Sequence, residues 1–120
     1  MKVKKIMEID DLYCKIYLDY DYEKEDLENL FLKISFINGE GSDFHSNNLK
    51  IYIVKNHDYY HKKDKTDDFL FYKYLLEIDP LEEVFQEEYL SDLIKLLTFF
   101  KSNNIKFVPS CDYEELFFVN

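Results

Sequence analysis

The sequence predicts a single α+β domain over residues 1–120, with four strands and two helices. Three observations predict this class: short segments with apolar residues at every second position, two longer segments with apolar residues three or four apart, and intervening stretches rich in Gly, Asn, Ser and Asp. A chain of 120 residues with 47% hydrophobic content suits one core. A core of this size buries about 60 to 70% of the unfolded surface.

The first strand and the first helix are predicted in the N-terminal third. Apolar residues alternate with other side chains over 12–18, which predicts a half-buried strand. Acidic residues follow, and apolar residues from Leu27 to Ile37 then recur at intervals of three and four, which predicts a helix that stops at Asn38-Gly39. The acids suit the positive end of the helix dipole. The alternative for this stretch is a strand over Leu32–Ile37, because it contains good strand formers.

Two more strands are predicted in the middle of the chain. Residues 39–48 are typical of a loop, and residues 49–53 alternate as a second strand. The apolar run Phe69–Ile78, closed by Asp79-Pro80, predicts a third strand that is central in the sheet.

The second helix is predicted over 81–103, ending at Asn103-Asn104. Its buried stripe is predicted to be Phe85, Tyr89, Leu93, Leu96 and Phe100. Residues 105–108 predict the last strand, whose pairing Pro109 ends, and residues 111–120 form an amphipathic tail.

The order strand, helix, strand, strand, helix, strand is that of a ferredoxin-like βαββαβ sandwich, a four-stranded antiparallel sheet with both helices on one face. Alternation then divides the strand residues between two faces. The residues predicted to face the helices are Leu12, Cys14, Ile16, Leu49, Ile51, Tyr74, Leu76 and Ile78. The residues predicted on the open face are Tyr13, Lys15, Tyr17, Tyr52, Val54, Phe71, Lys73 and Leu75. Such an aromatic face needs an occupant: a partner protein, a second copy of the chain, or the tail from Leu116 to Val119.

Charge narrows the partner classes. The chain has 11 Tyr, 11 Phe and a formal net charge of −10, which opposes binding to nucleic acid and to anionic membranes and attracts cationic proteins. The open sheet resembles that of an RNA-recognition module, but the third strand lacks the basic-glycine-aromatic motif of such modules. The uncharged apolar runs are shorter than a membrane span or a signal peptide requires, so we expect a cytoplasmic protein.

Catalytic and metal-binding signals are weak. His57 and His61 have the spacing of helical metal ligands, but Lys62 and Lys63 follow directly and no amphipathic helix surrounds them. Acids next to Cys111 should make its thiolate scarcer, and the distant Cys14 offers no Cys-x-x-Cys motif, so both cysteines are expected to be reduced and structural. Two glycines are too few for a phosphate-binding loop. We therefore expect no enzyme activity, no cofactor and no metal.

Two segments carry a resemblance to a family. Asp67, Asp68, Phe69, Leu70, Tyr74, Leu76, Glu77 and Pro80 form one, and Cys111, Asp112, Tyr113 and Glu114 form the other. Together they resemble a family of small, acidic, uncharacterised bacterial proteins in which Phe stands at the position of Tyr113 and Asp at that of Glu115. This resemblance implies a bacterial, compact, acidic domain and implies no activity.

The leading functional hypothesis is an immunity protein or antitoxin that occludes a basic, nuclease-like toxin. An acidic inhibitor is steered to a cationic enzyme, and its carboxylates replace substrate phosphates. The predicted partner-binding residues are Tyr17, Asp19, Tyr20, Asp21, Tyr22, Tyr52, Tyr59, Tyr60, Asp64, Asp67, Asp68, Asp112, Glu114 and Glu115. The alternatives are a homodimeric ligand-binding or regulatory domain and a small metal-dependent hydrolase centred on His57 and His61.

Overall fold

The computed structural model describes residues 8–61 and 68–117, and the side chains of all of these except Tyr60 and His61. Two α-helices are present in this part of the chain, α1 (Lys24–Phe31) and α2 (Gln86–Ser102). The strands are β1 (Cys14–Asp19), β2 (Asn38–Glu40), β3 (Asp43–His45), β4 (Leu49–Lys55), β5 (Tyr74–Pro80) and β6 (Lys106–Ser110). Short 3-10 helices cover His57–His61, Phe69–Phe71 and Glu114–Phe117. The mixed α+β class is confirmed.

The sheet has six strands where four were predicted. Its order is β2-β3-β4-β5-β1-β6, and every neighbouring pair is antiparallel. The two additional strands form a hairpin inside the predicted loop 39–48. Gly41, with a φ of 60°, begins the two-residue loop Gly41-Ser42 between the paired residues Glu40 and Asp43. A two-residue loop with Gly first is a hairpin signal that outweighs the polar composition of this stretch.

One core lies between the helices and one face of the sheet. The inward side chains of the three longest strands include all of the predicted ones except Leu12, which is only partly buried. Aromatic rings join the layers: Phe31 of α1 lies 5.1 Å from Phe44 of β3 and 6.0 Å from Phe100 of α2, and Phe100 lies 5.9 Å from Phe107 of β6. Both α-helices therefore pack on the same face, and no α-helix of the described residues lies on the other face.

Helix α1 is shorter than predicted. Asp26 accepts a hydrogen bond from the backbone N–H of Glu23 at 3.1 Å, which supports the start of the helix. The helix ends at Phe31 and gives way to two four-residue turns, in which the N–H of Ile34 donates to the carbonyl of Phe31 and that of Ile37 to the carbonyl of Ile34. These turns keep both isoleucines buried without a helix, and no strand forms over 32–37.

Helix α2 begins five residues later than predicted. A turn over 82–83, with Glu83 at a φ of 61°, separates β5 from the helix. Phe85 therefore sits at the N-cap instead of on the buried stripe, and it is 74% exposed. The predicted C-terminus is confirmed: Asn104 has a φ of 57°, and the N–H of Ile105 donates to the carbonyl of Phe100 at 2.9 Å. This left-handed residue and hydrogen bond form a Schellman motif.

The third and last predicted strands are displaced along the chain. Phe69–Phe71 forms a 3-10 helix capped by Asp68, and Asn56 Nδ2 donates to the carbonyls of Leu70 and Tyr72, at 2.8 and 2.7 Å. Strand β5 therefore starts at Tyr74. Pro109 lies within β6, opposite Ile16, where it was predicted to end the pairing. Proline is tolerated there because β6 is an edge strand that needs hydrogen bonds on one side only.

Candidate functional site

The open face of the sheet, which lies opposite α1 and α2, carries two contrasting rows of side chains. The register places Glu40, Asp43, Tyr52, Glu77, Lys15 and Ser110 in one row across all six strands. The parallel row across four strands is apolar and consists of Val54, Leu75, Tyr17 and Val108. With strands about 4.8 Å apart, this apolar row is about 14 Å long. The face thus offers a narrow apolar strip beside a charged one.

This face is less apolar than predicted. Lys15, Tyr17, Tyr52, Val54 and Leu75 lie on it as expected. The predicted Phe71 belongs instead to the 3-10 helix that packs beside β1. In that helix, the ring of Phe69 meets the ring of Tyr17 edge-on at 5.1 Å, which leaves Tyr17 half-buried.

The tail does not lie on the open face as far as it is described. Tyr113 is buried, and its hydroxyl donates to the carbonyl of Leu12 and lies 3.4 Å from the hydroxyl of Tyr89 on α2. Leu116 and Phe117 pack against the core between sheet and helices. The remaining predicted tail residues, 118 and 119, lie outside the described residues.

A hollow of about 380 Å³ lies on the open face beside Tyr52, which is 48% exposed. Three carboxylates, Asp43, Glu77 and Asp79, line it together with two basic side chains, Lys50 and His45. Burial, followed by the charges of Glu77 and Asp79, raises the pKa of the Tyr13 hydroxyl to about 12. Leu81, which directly precedes Glu82 in the chain, also lines the hollow.

One end of the molecule gathers an unusual density of negative charge. Three segments meet there, 8–11, 82–88 and 112–115, and we call them the acidic end. The N–H of Ile9 donates to Gln86 Oε1 at 2.7 Å, and Tyr89 donates to the carbonyl of Leu12 at 2.7 Å. The exposed carboxylates of the acidic end are Glu8, Asp10, Asp11, Glu82, Glu83, Glu87, Glu88, Asp112, Glu114 and Glu115.

The acidic end also presents a ring to solvent. Its three segments contain no Lys or Arg, and Phe85, which follows Glu82 and Glu83, is the most exposed large apolar side chain of the described residues. Lys2, Lys4 and Lys5 precede this region in the sequence but are too few to neutralise ten carboxylates. An exposed aromatic ring inside a field of one sign has the character of an interface anchor with a charged rim.

Several predicted partner-binding residues cluster at the opposite end of β1. The ring of Tyr20 lies 5.2 Å from that of Tyr22, and the Nζ of Lys73 lies 3.1 Å from the carbonyl of Tyr22 and 5.8 Å from the ring of Tyr59. Asp21 is exposed beside this tyrosine cluster. Because β1 has six residues, its two ends are about 17 Å apart. The predicted residues therefore do not form one surface.

The other predicted residues have mixed positions. Asp112 and Glu115 are exposed on the acidic end, and Glu114 accepts a hydrogen bond from the N–H of Cys111 at 3.3 Å. Asp19 closes β1, and Asp68 caps the 3-10 helix by accepting from the N–H of Leu70 at 3.0 Å. Asp64, Asp67 and the side chain of Tyr60 lie outside the described residues.

Several acids and the aromatic ring of the acidic end were not predicted from the sequence. Phe85 was predicted on the buried stripe of the second helix. Charged pairs of this kind usually lie on the solvated face of a helix, and four acids were therefore given no role: Glu82, Glu83, Glu87 and Glu88. Glu77 and Asp79 could have been placed on the open face, because they continue the alternation of Lys73 and Leu75. The meeting of three distant segments has no signal in the sequence.

The two cysteines lie against each other. The Sγ of Cys14 donates to the Sγ of Cys111 at 3.2 Å, and both are free thiols. This hydrogen bond lowers the pKa of Cys111 despite its partial burial and the nearby acids, so the expectation that the acids would dominate is wrong. The pKa of Cys14 is raised by the same contact and by burial.

The described residues offer no group of three or more His, Cys, Asp or Glu side chains able to hold a metal ion. His57 begins a 3-10 helix, while the side chain of His61 is outside the described part of the chain. None of the described helices is both long enough and apolar enough to cross a bilayer.

No protein-family model matches the chain, no curated protein matches its sequence, and no solved structure matches it.

Proposed function

We propose that this protein is a cytoplasmic, non-enzymatic inhibitor that binds a basic protein, in the manner of a bacterial immunity protein or antitoxin. The acidic end carries this proposal: its three segments contain ten exposed carboxylates and the 74% exposed ring of Phe85. The resemblance of the chain to small acidic bacterial proteins supports a bacterial, compact, acidic domain and implies no particular activity.

Charge supports a cationic partner. An enzyme that grips nucleic acid must present Lys and Arg to phosphates, and a dense group of carboxylates competes for the same positions. The net charge of −10 also steers the two proteins together, with association rates that reach about 10⁸ M⁻¹s⁻¹ at low salt.

Two exposed aromatic rings supply apolar contacts. Phe85 stands at the start of α2, and Tyr52 borders the hollow, whose lining residue Leu81 directly precedes the acidic segment 82–88. A partner that covers the acidic end and inserts a basic side chain into the hollow would meet Asp43, Glu77 and Asp79 there. The proposed interface therefore replaces the predicted one by the acidic end and the adjoining hollow.

The first experiment identifies the partner. Basic proteins encoded next to this gene are expressed with and without the protein, and growth rescue and copurification are both measured. We expect a toxic, basic neighbour whose toxicity is relieved in a stable complex. A toxic neighbour that still kills and does not copurify contradicts the proposal.

The second experiment locates the interface with charge-matched variants. Glu87→Lys with Glu88→Lys changes the acidic end by four charge units, and Asp21→Lys with Glu23→Lys makes the same change near the tyrosine cluster. We expect the first pair to slow association at least about tenfold at low salt, and the second to have a much smaller effect, because steering depends on local charge. Equal effects would show that only net charge matters, and the reverse order would assign the interface to the tyrosine cluster.

A third variant tests the apolar anchor. Phe85→Ser removes a largely exposed ring and places a preferred N-cap residue at the start of α2, so the free energy of unfolding should stay the same or rise by about 1 kcal/mol. We expect the dissociation rate of the complex to rise at least about tenfold, because aromatic anchors act mainly on dissociation. An unchanged dissociation rate would remove Phe85 from the interface.

One observation favours a second candidate, a homodimeric ligand-binding or regulatory domain. The apolar row Val54, Leu75, Tyr17 and Val108 lies on the face opposite the two α-helices, where Phe69 of a 3-10 helix covers part of Tyr17. Light scattering after gel filtration distinguishes the two: a stable dimer that Leu75→Lys converts to a monomer supports this candidate, whereas a monomer at all concentrations excludes it.

We also propose that the inner strands keep the ferredoxin-like arrangement. The order β4-β5-β1-β6, with α1 between β1 and β4 and α2 between β5 and β6, supports this, and the β2-β3 hairpin extends one edge. Cross-strand nuclear Overhauser effects linking Tyr17 to both Leu75 and Val108 test the order, and their absence would refute it.

A further inference from the structure

Cys14 and Cys111 lie where an antiparallel ladder would pair them. Lys15 is paired with Ser110 in the β1–β6 register, so the next pair outward is Cys14 with Cys111. Directly opposed residues of an antiparallel pair have Cα atoms about 4.5 to 5.5 Å apart, and disulfides span Cα separations of about 4.4 to 6.8 Å. The backbone geometry is therefore compatible with a covalent bridge.

The sulfur atoms are close to bonding distance. The two Sγ atoms are 3.2 Å apart, while the sulfur atoms of a disulfide are about 2.05 Å apart. Closing this gap requires a shift of about 1 Å, which small side-chain rotations supply. The pair differs from two buried cysteines that merely fill space.

The two thiols have unequal access. Cys14 is fully buried, and Cys111 is half-exposed just after the end of β6. The hydrogen bond from Cys14 favours the thiolate of Cys111, the form that reacts with oxidants. The accessible sulfur is thus the nucleophile, and the buried sulfur is placed to react with its product.

We propose that Cys14 and Cys111 form a redox-active dithiol that a neutral peroxide converts to an intramolecular disulfide. The Cys111 thiolate attacks one oxygen of hydrogen peroxide, the O–O bond breaks, and the departing hydroxide takes up a proton to form water. Cys14 sulfur then attacks the sulfenic sulfur of Cys111, the S–O bond breaks, and the hydroxide released takes the Cys14 proton as a second water. Two thiols lose one electron each, and the peroxide gains two.

The surroundings select the class of oxidant. Cys111 is followed by three exposed carboxylates, Asp112, Glu114 and Glu115. These repel anionic disulfides such as oxidised glutathione and do not affect an uncharged peroxide. The bridge would join β1 to the segment that carries these acids and would close a loop of nearly the whole chain.

The test uses the full-length reduced protein treated with hydrogen peroxide, then unfolded and alkylated with N-ethylmaleimide. We expect the intact mass to fall by about 2 Da with no maleimide attached, since a disulfide forms with loss of two hydrogens. We also expect the oxidised monomer to unfold about 5 to 15 °C higher, because the bridge constrains the unfolded chain. A product that takes up two maleimides, or a disulfide-linked dimer, overturns the proposal.

Matched variants assign the two roles. Cys14→Ser should stop at the sulfenic acid and accumulate its dimedone adduct on Cys111, whereas Cys111→Ser should react at least about tenfold more slowly, because the remaining thiol is buried. Equal reactivity of the two variants would refute Cys111 as the nucleophile. If a variant fails to fold, the mass measurement on the unsubstituted protein still decides.

Oxidised glutathione at the same concentration should oxidise the two cysteines at least about tenfold more slowly than hydrogen peroxide. The reverse order of rates would refute the selection of the oxidant by charge.

Discussion

Two tyrosine hydroxyls converge on one backbone carbonyl, and this geometry predicts a non-additive loss of stability. Tyr89 donates to the carbonyl of Leu12 at 2.7 Å, and Tyr113 donates to the same oxygen. Both tyrosines are buried, at 0% and 3% exposure. Tyr89→Phe or Tyr113→Phe alone leaves the carbonyl with one of the two donors. Both substitutions together leave it with neither.

The magnitude follows from the number of donors lost. Each single substitution should cost about 1 kcal/mol, the usual net value of a hydrogen bond. The double substitution should cost about 3 to 5 kcal/mol, because an unsatisfied, partly buried carbonyl adds about 1 to 3 kcal/mol to the sum. For 120 residues the unfolding entropy is about 250 cal/mol/K, so 1 kcal/mol lowers Tm by about 4 °C.

Urea unfolding of the unsubstituted protein, the two single variants and the double variant under reducing conditions measures the coupling between Tyr89 and Tyr113. Tyr22→Phe serves as a control, since its ring is 65% exposed and its loss should change the free energy of unfolding by less than about 0.5 kcal/mol. A double variant within about 0.5 kcal/mol of the sum of the singles would refute the shared-acceptor argument.

Three further predictions concern stability. The free energy of unfolding should fall as pH rises from 10 toward 12, because the pKa of Tyr13 is about 12 in the folded protein and the tyrosine ionises at lower pH in the unfolded chain. Urea unfolding at several pH values should show a shallower fall for Tyr13→Phe. The same fall with pH in both proteins would contradict this. Asp92→Ala should cost about 2 to 4 kcal/mol in urea unfolding, because Asp92 accepts from Ser46 Oγ at 2.5 Å and from Asn48 Nδ2 at 3.1 Å; a loss below about 1 kcal/mol would show that water replaces it. Phe31→Ala should cost about 3 to 5 kcal/mol by thermal unfolding, since its buried ring joins α1 to β3 and α2. A loss smaller than that of the exposed Phe85→Ser would contradict this.

The alternation of side chains predicted the sheet faces well. The inward residues of β1, β4 and β5 were recognised because one buried face imposes a period of two on the sequence. The end of α2 could also be predicted from the sequence, since Asn104 adopts the left-handed conformation that Asn tolerates better than most residues. These are local signals with strong steric causes.

The remaining features depend on contacts between distant residues. Phe69–Phe71 is apolar enough for a strand, but Asn56 binds two carbonyls in this region and holds it in a different conformation. Phe85 fits a helical stripe, yet the turn at Glu83 delays the helix and turns the ring outward. The acidic end requires three segments to meet, which no single window of sequence records.

The outer strands of the sheet have a consequence for self-assembly. β2 has only three residues, and its central position requires Gly39, because a Cβ there would lie 2.2 Å from the carbonyl oxygen of Asp43. On the opposite edge, Pro109 has no amide hydrogen to donate. Neither border is therefore a good template for adding a strand from another molecule, which protects the chain from growth into fibrils. Both edges therefore favour recognition of another protein through side chains over the addition of a backbone strand.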